Sequence, residues 1–114
     1  MKVSELTPKI TNKTEFDFSK IKFLPNIFAC YVITNFLNDI IYIGLTKNLK
    51  RRIKEHLDNT HKTEMTELGK GYFLYYKTVD TEFALTKLER GWLNQFELIE
   101  GKLPLLNSFH SPIS

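Results

Sequence analysis

Blocks of β-branched and aromatic residues, separated by polar residues, predict two strands joined by a short turn. The first block runs from Phe28 to Asn35 and the second from Ile40 to Gly44. Asn38 and Asp39, which lie between them, are typical turn residues. The pattern therefore predicts a β-hairpin.

The register of this hairpin decides which side chains share a face. With the turn centred between Phe36 and Leu37, Tyr31 is predicted to lie directly opposite Tyr42. Opposed residues of an antiparallel pair lie on the same face of the sheet. This register places two phenol rings side by side.

A helix is predicted from about Asn48 to Asn59. Asn48 is a suitable N-cap, and Leu49, Ile53 and Leu57 follow it at helical spacing. At about 100° per residue, two polar residues one turn apart fall in the same arc as these leucines and isoleucine. They are Arg52 and His56, whereas Lys50, Arg51, Lys54 and Glu55 point away.

A third strand is predicted between Gly71 and Val79, followed by a second helix capped by Asp80 or Thr81. The apolar stripe of that helix is the strongest helical pattern in the chain. It consists of Leu85, Leu88, Trp92, Phe96 and Ile99. Glu89 borders the stripe, so a carboxylate is expected at the margin of the apolar face.

With 114 residues, the chain is expected to form one domain, at 27–114, preceded by an N-terminal arm at 1–26. Phe16, Phe18, Ile21 and Phe23 are apolar anchors with which the arm forms a short strand or turn against the body. No internal repeat or low-complexity tract divides the sequence.

Several classes of protein are excluded by composition. The apolar runs are far shorter than the roughly 20 residues of a membrane helix, so no membrane partner is expected. We expect no signal peptide and a soluble, cytoplasmic protein. Cys30 is the only cysteine, and with His56, His61 and His110 it matches no common zinc-ligand spacing.

Positive charge is concentrated at the start of the first predicted helix. The formal net charge is only +3, but five basic residues lie between Thr46 and Lys54 with no acidic residue among them. Apart from Arg52, they are predicted to contact the nucleic-acid backbone: Lys47, Lys50, Arg51 and Lys54.

Taken in order, these motifs resemble the GIY-YIG nuclease superfamily between Phe28 and Asn107. The segments that carry the resemblance are Tyr31, Tyr42-Ile43-Gly44, Asn48 to His56, Leu88 to Leu93, and Pro104 to Asn107. The resemblance implies an α/β (α+β) fold in which a three-stranded antiparallel sheet is flanked by helices. It also implies DNA cleavage with one divalent cation, Mg²⁺ or Mn²⁺.

The resemblance assigns roles to individual residues. Tyr31 and Tyr42 match the tyrosines of the two motifs, Arg52 the helix arginine and His56 the polar residue one turn later. Glu89 matches the metal ligand. Gly44 and Asn107 are expected to support the site, Asn107 as the C-terminal asparagine of the family.

Two features depart from the family pattern. Ala29-Cys30 replaces the Gly-Ile of the first motif, and Leu45 stands where some members carry a lysine that contacts phosphate. Glu97 and Glu100 are competing carboxylates, but Glu89 fits the Leu-Glu-Arg-x-Trp-Leu context and adjoins the apolar stripe.

These residue types suit phosphodiester hydrolysis. Mg²⁺ binds few protein ligands and relies on water and substrate oxygens, so one glutamate is enough to hold it. Arg52 supplies a charged donor fork that matches phosphate. A phenolate at pH 7 costs about 4 kcal/mol, so a tyrosine base needs a nearby cation or a relay such as neutral His56. The sequence leaves both tyrosines as candidates for the base.

Each residue also has an ordinary structural explanation, such as cross-strand packing for the tyrosines. Their combination in the family's order favours the nuclease. The alternatives are a catalytically silent module that binds nucleic acid or protein, and a nuclease subunit of a larger assembly. A domain this small is expected to have low sequence specificity on DNA unless it forms a homodimer, uses its arm or binds a partner protein.

Overall fold

The computed structural model describes residues 1–59 and 63–108, in which an antiparallel sheet carries one long helix on each face. His61 and His110 lie outside the described residues. The strands are β1 (Asn12–Glu15), β2 (Ala29–Thr34), β3 (Ile40–Thr46) and β4 (Phe73–Thr78). The helices are α1 (Leu49–Asp58) and α2 (Glu82–Glu100), with short 3-10 turns at Val3–Glu5, Phe18–Phe23 and Leu105–Ser108.

The α+β class is confirmed, and the sheet has four strands where three were expected. Its order is β1-β4-β2-β3, so the hairpin strand β3 forms one edge. The fourth strand, β1, comes from the arm and pairs antiparallel with β4. The arm also contributes to the core through Leu6, Phe16 and Leu24, which are buried.

The predicted hairpin is present, but its predicted register is wrong by two residues. Tyr31 pairs with Gly44, and Tyr42 pairs with Ile33. The cause lies in the turn, where the Asn35 side-chain oxygen accepts hydrogen bonds from two backbone N–H groups and Asn38 adopts a positive φ of 68°. A register shift between Ile33 and Thr34 follows. Because the slip is even, Tyr31 and Tyr42 still share a face.

The sheet separates two apolar clusters. On one face, Tyr31, Ile33 and Tyr42 pack with Leu49 and Ile53 of α1. On the opposite face, Cys30, Val32 and Ile43 pack with Leu85, Trp92 and Phe96 of α2. Successive residues of β2 therefore serve different faces, as the pleat requires.

Both helices begin where the sequence predicts. The Asn48 side chain accepts a hydrogen bond from the Arg51 N–H at 3.1 Å, and the Thr81 hydroxyl accepts one from the Ala84 N–H at 3.1 Å. The predicted stripe of α2 is wrong at its last position, because Ile99 is exposed. Among the described helices, none is long and apolar enough to span a membrane.

Candidate active site

Three aromatic side chains meet between the sheet and α1. They come from β2, β3 and α1 itself. The Tyr31 Oη lies 2.5 Å from His56 Nε2, and the Tyr42 ring lies 5.9 Å from the Tyr31 ring and 5.3 Å from the His56 ring, centroid to centroid. All three are buried. Their proximity follows from the shared face of Tyr31 and Tyr42 and from the helical phase that turns His56 inward.

Gly44 makes room for this cluster. A Cβ atom at this position would lie 2.7 Å from Tyr31 Cζ, Tyr31 Oη and Tyr42 Cε2. Carbon atoms pack at about 3.5–4.0 Å, so a side chain here would displace both rings. The glycine after Tyr42-Ile43 is thus a spatial requirement of the two phenols.

The Tyr31 hydroxyl keeps its proton in this environment. Burial, followed by the neighbouring Tyr42, raises the pKa of Tyr31 well above its ordinary value, although Arg52 opposes the shift. The protonated Tyr31 hydroxyl and His56 Nε2 share this hydrogen bond. Tyr31 is therefore poorly suited to accept a proton from water.

Arg52 lies over the aromatic cluster with part of its guanidinium buried. Burial by itself would lower the pKa of Arg52, but Tyr31, Glu55 and Tyr42 outweigh this effect and the pKa is raised. One terminal nitrogen donates to Glu55 at 3.1 Å. The buried Nε has no hydrogen-bond partner within the described part of the chain. The guanidinium therefore has one donor that no described group satisfies.

Asn107 closes the outer edge of β3 next to the cluster. Its amide nitrogen donates to the Ile43 carbonyl at 2.8 Å, and its side-chain oxygen accepts from the Ile43 N–H at 2.8 Å. Ile43 lies between Tyr42 and Gly44, so this pair of bonds fixes the backbone that carries both. Asn107 thus has the geometry of a supporting residue.

Glu89 is not brought into contact with the aromatic cluster. It lies on α2, on the other face of the sheet, beside Cys30. Burial, together with the nearby Glu89 carboxylate, raises the pKa of the Cys30 thiol to about 12. Burial also raises the pKa of Glu89 itself, which Arg90 partly offsets.

The donor set around Glu89 is compatible with a cation that keeps most of its water. Within residues 1–59 and 63–108, no group of three or more His, Cys, Asp or Glu side chains is assembled for a metal. The half-buried Glu89 carboxylate has Arg90 as a charged neighbour. A single carboxylate fits Mg²⁺ or Mn²⁺ bound largely through water and does not fit zinc.

The predicted backbone-contacting residues surround the start of α1. Arg51 and Lys54 are exposed, Lys50 is half-buried, and Lys47 lies 3.4 Å from Glu82 in an exposed ion pair.

Sequence reasoning missed two neighbours of the site. Glu55 pairs with Arg52, and its spacing of three residues on α1 was the available signal. Tyr76 pairs with Tyr31 across β2 and β4 and packs against the same cluster. Its position depends on a strand pairing that local sequence does not specify.

Comparison with known proteins identifies the family. The profile described as the GIY-YIG catalytic domain matches residues 27–102. UvrABC system protein C from Lactiplantibacillus plantarum is 32% identical over 89 residues, which are 77% of this chain and 14% of that protein. The protein of the same name from Levilactobacillus brevis is 30% identical over 95 residues, 82% of this chain and 15% of that protein. The chain thus spans about one seventh of these relatives.

A solved structure shares the fold. It is the GIY-YIG N-terminal endonuclease domain of UvrC from Thermotoga maritima, a point mutant bound to its catalytic divalent cation. The TM-score is 0.55 at 22% sequence identity, covering 77% of this chain and 90% of that chain. These findings support the predicted endonuclease type, and the resemblance seen in the motifs is confirmed: the chain belongs to the GIY-YIG family.

Proposed function

We propose that the protein is an endonuclease that hydrolyses DNA phosphodiester bonds with one divalent cation, Mg²⁺ or Mn²⁺. The observation that carries the proposal is the partly buried Arg52 guanidinium, which lies beside two phenols and has an Nε without a partner among the described residues. An arrangement of this kind suits a phosphate that brings its own negative charge.

Arg52 is assigned to the nonbridging oxygens of the scissile phosphate. Its terminal nitrogen now bonds Glu55, which is about half exposed, so substrate phosphate replaces an accessible carboxylate. The guanidinium then carries the charge that builds up on the phosphate in the transition state.

Tyr42 is assigned as the base and Tyr31 as its positioning partner. Tyr31 is already hydrogen-bonded to His56, and its raised pKa disfavours the phenolate. Arg52 interacts electrostatically with both Tyr31 and Tyr42, so Tyr42 also has this cation beside it. Tyr42 then accepts the proton of the attacking water, while the Tyr31–His56 pair holds the rings in place.

Glu89 is assigned as the protein ligand of the cation. When bound, the cation would supply Lewis acidity at the phosphate and the leaving 3′-oxygen. Glu89 and Arg52 lie on opposite faces of the sheet. We propose that DNA binds around edge strand β3 to reach both groups, with Lys50, Arg51 and Lys54 on its backbone.

The names of the relatives suggest a wider setting. UvrABC system protein C is by name a component of a multi-protein system, and this chain matches only a small part of it. We therefore propose that a second copy of the chain or a partner protein supplies the choice of target.

A silent binding module is the competing function. It is favoured by the position of Glu89 on the face of the sheet opposite Tyr31, beside Cys30. It is also favoured by Ala29-Cys30, which replaces the Gly-Ile of the family's first motif. In that case α1 binds nucleic acid, and substitutions of Arg52 change only the affinity for nucleic acid.

Cleavage of a mixed panel of DNA structures, with and without Mg²⁺, tests the proposal. We expect Mg²⁺-dependent cutting that Arg52→Ala abolishes. The matched control is Arg51→Ala on the same helix, which removes an exposed cation and only weakens binding, with a shallower salt dependence. Absence of cutting on every substrate, or equal cutting by both variants, would overturn the proposal.

A further inference from the structure

An exposed cluster of aromatic rings lies at the turn end of the β2–β3 hairpin. Phe36 is 64% exposed and Tyr72 is 43% exposed, and their centroids lie 5.0 Å apart in an edge-to-face contact. Phe73 completes the cluster, 6.2 Å from Phe36 and nearly parallel to it. We call Phe36, Tyr72 and Phe73 the aromatic platform. None of the three has a role in the site described above.

Two lysines lie beside the platform. The Lys13 ammonium lies 3.9 Å from the centroid of the Phe73 ring. A groove of about 300 Å³ beside Phe36 and Tyr72 is lined by exposed Lys70. Flat apolar rings interleaved with cations are a pattern that serves nucleic acids.

The acidic residues near the platform do not reverse this charge. Asp39 is held by Lys2 at 3.0 Å, and this contact lowers the pKa of Asp39. Glu15 faces Phe73 across the β1–β4 pair, but Lys13 lies over the same ring. The surface therefore favours an anionic partner that also carries flat rings.

We propose that the aromatic platform binds unpaired nucleobases by stacking, with the flanking lysines on the adjoining phosphates. Bases in an intact duplex are covered by their own neighbours, so exposed rings select single-stranded or frayed segments. The proposal deepens the proposed function and rests on it for the substrate: the chain cuts DNA that has an unpaired segment beside the cleaved bond.

The platform and the active-site tyrosines do not lie on one face of the sheet. Phe73 pairs with Thr34, three residues along β2 from Tyr31, and packs with the cluster on the α2 face, whereas Tyr31 packs with the cluster on the α1 face.

Binding of a fluorescent oligothymidine to the full chain tests the platform without relying on cleavage. An abasic oligomer with the same number of phosphates reports the electrostatic part. We expect Phe36→Ala and Tyr72→Ala to weaken oligothymidine binding roughly 5- to 100-fold each and to leave abasic binding unchanged. The matched control is Phe83→Ala, which removes a ring that is 77% exposed on α2 and should change neither.

A photo-crosslink locates the contact directly. An oligomer carrying 5-iododeoxyuridine should crosslink to peptides that contain Phe36 or Tyr72. Oligothymidine binding that is insensitive to both alanine variants, or crosslinks confined to α1, would overturn the proposal and leave the rings as a surface for a protein partner.

The two proposals fail separately. If Phe36→Ala loses base-dependent binding in a chain that cuts no DNA, the platform stands and the nuclease does not. If the chain cuts DNA while both platform variants bind oligothymidine like the wild type, the nuclease stands and the platform does not.

Discussion

Replacing Gly44 with alanine should damage both stability and activity. The new methyl carbon would lie 2.7 Å from atoms of Tyr31 and Tyr42, about 1 Å inside ordinary carbon contact. Both rings are buried and backed by α1, so neither has free space to move into. Overpacking of this kind costs about 1–3 kcal/mol in the free energy of unfolding.

Two measurements check this prediction. In thermal unfolding, the cost corresponds to a Tm lowered by roughly 5–20 °C for a domain of this size. In cleavage, displacement of Tyr31 and Tyr42 should reduce the rate even at temperatures where the variant is fully folded, because catalytic groups tolerate little misplacement.

Gly91→Ala is the matched control. A Cβ at Gly91 of α2 has no atom within 4 Å, and alanine favours helix, so this variant should gain roughly 0.5–1 kcal/mol in stability with unchanged cleavage. A Gly44→Ala protein as stable and as active as the wild type would refute the claim that the two rings occupy the space over this glycine.

Three further predictions follow from the geometry. Tyr31→Phe and Tyr42→Phe should both fold. Tyr42→Phe should slow cleavage about 10²- to 10⁴-fold and Tyr31→Phe should slow it less. The double variant should be barely slower than Tyr42→Phe, and rate losses that multiply in the double variant would show that the two hydroxyls act at separate sites. Glu89→Gln should raise the Tm at pH 7, because burial raises the carboxyl pKa in the folded state and ionisation above that pKa destabilises it. This advantage should disappear below about pH 4, where the wild-type carboxyl is also neutral. Glu55→Gln should tighten DNA binding a few-fold by releasing Arg52, and weaker binding would contradict the competition between carboxylate and phosphate.

The helices could be predicted from the sequence because their signals are local. The caps Asn48 and Thr81 and the phase that buries His56 beside half-buried Arg52 all depend on residues within a few turns of one another. The prediction that Tyr31 and Tyr42 share a face was also correct, because the predicted register was wrong by an even number of residues.

Features that depend on distant contacts were not predictable. Strand β1 has the sequence Asn-Lys-Thr-Glu with an almost entirely exposed pattern, so no apolar alternation marks it. The hairpin register depends on how Asn35 binds the turn backbone. The stripe of α2 shows which side of the helix carries Glu89, but not which face of the sheet the helix covers. That choice places Glu89 opposite Tyr31.

The central claim is that Glu89 holds the cation used in cleavage, and single-turnover cleavage over a range of Mg²⁺ concentrations tests it most directly. Wild-type protein should show a saturable dependence on Mg²⁺, and Glu97→Gln, an exposed carboxylate two turns later on α2, should match it. Glu89→Gln should bind DNA within a few-fold of the wild type and lose both cleavage and the Mg²⁺-induced rise in Tm. Normal cleavage by Glu89→Gln, with loss in Glu97→Gln, would contradict the account.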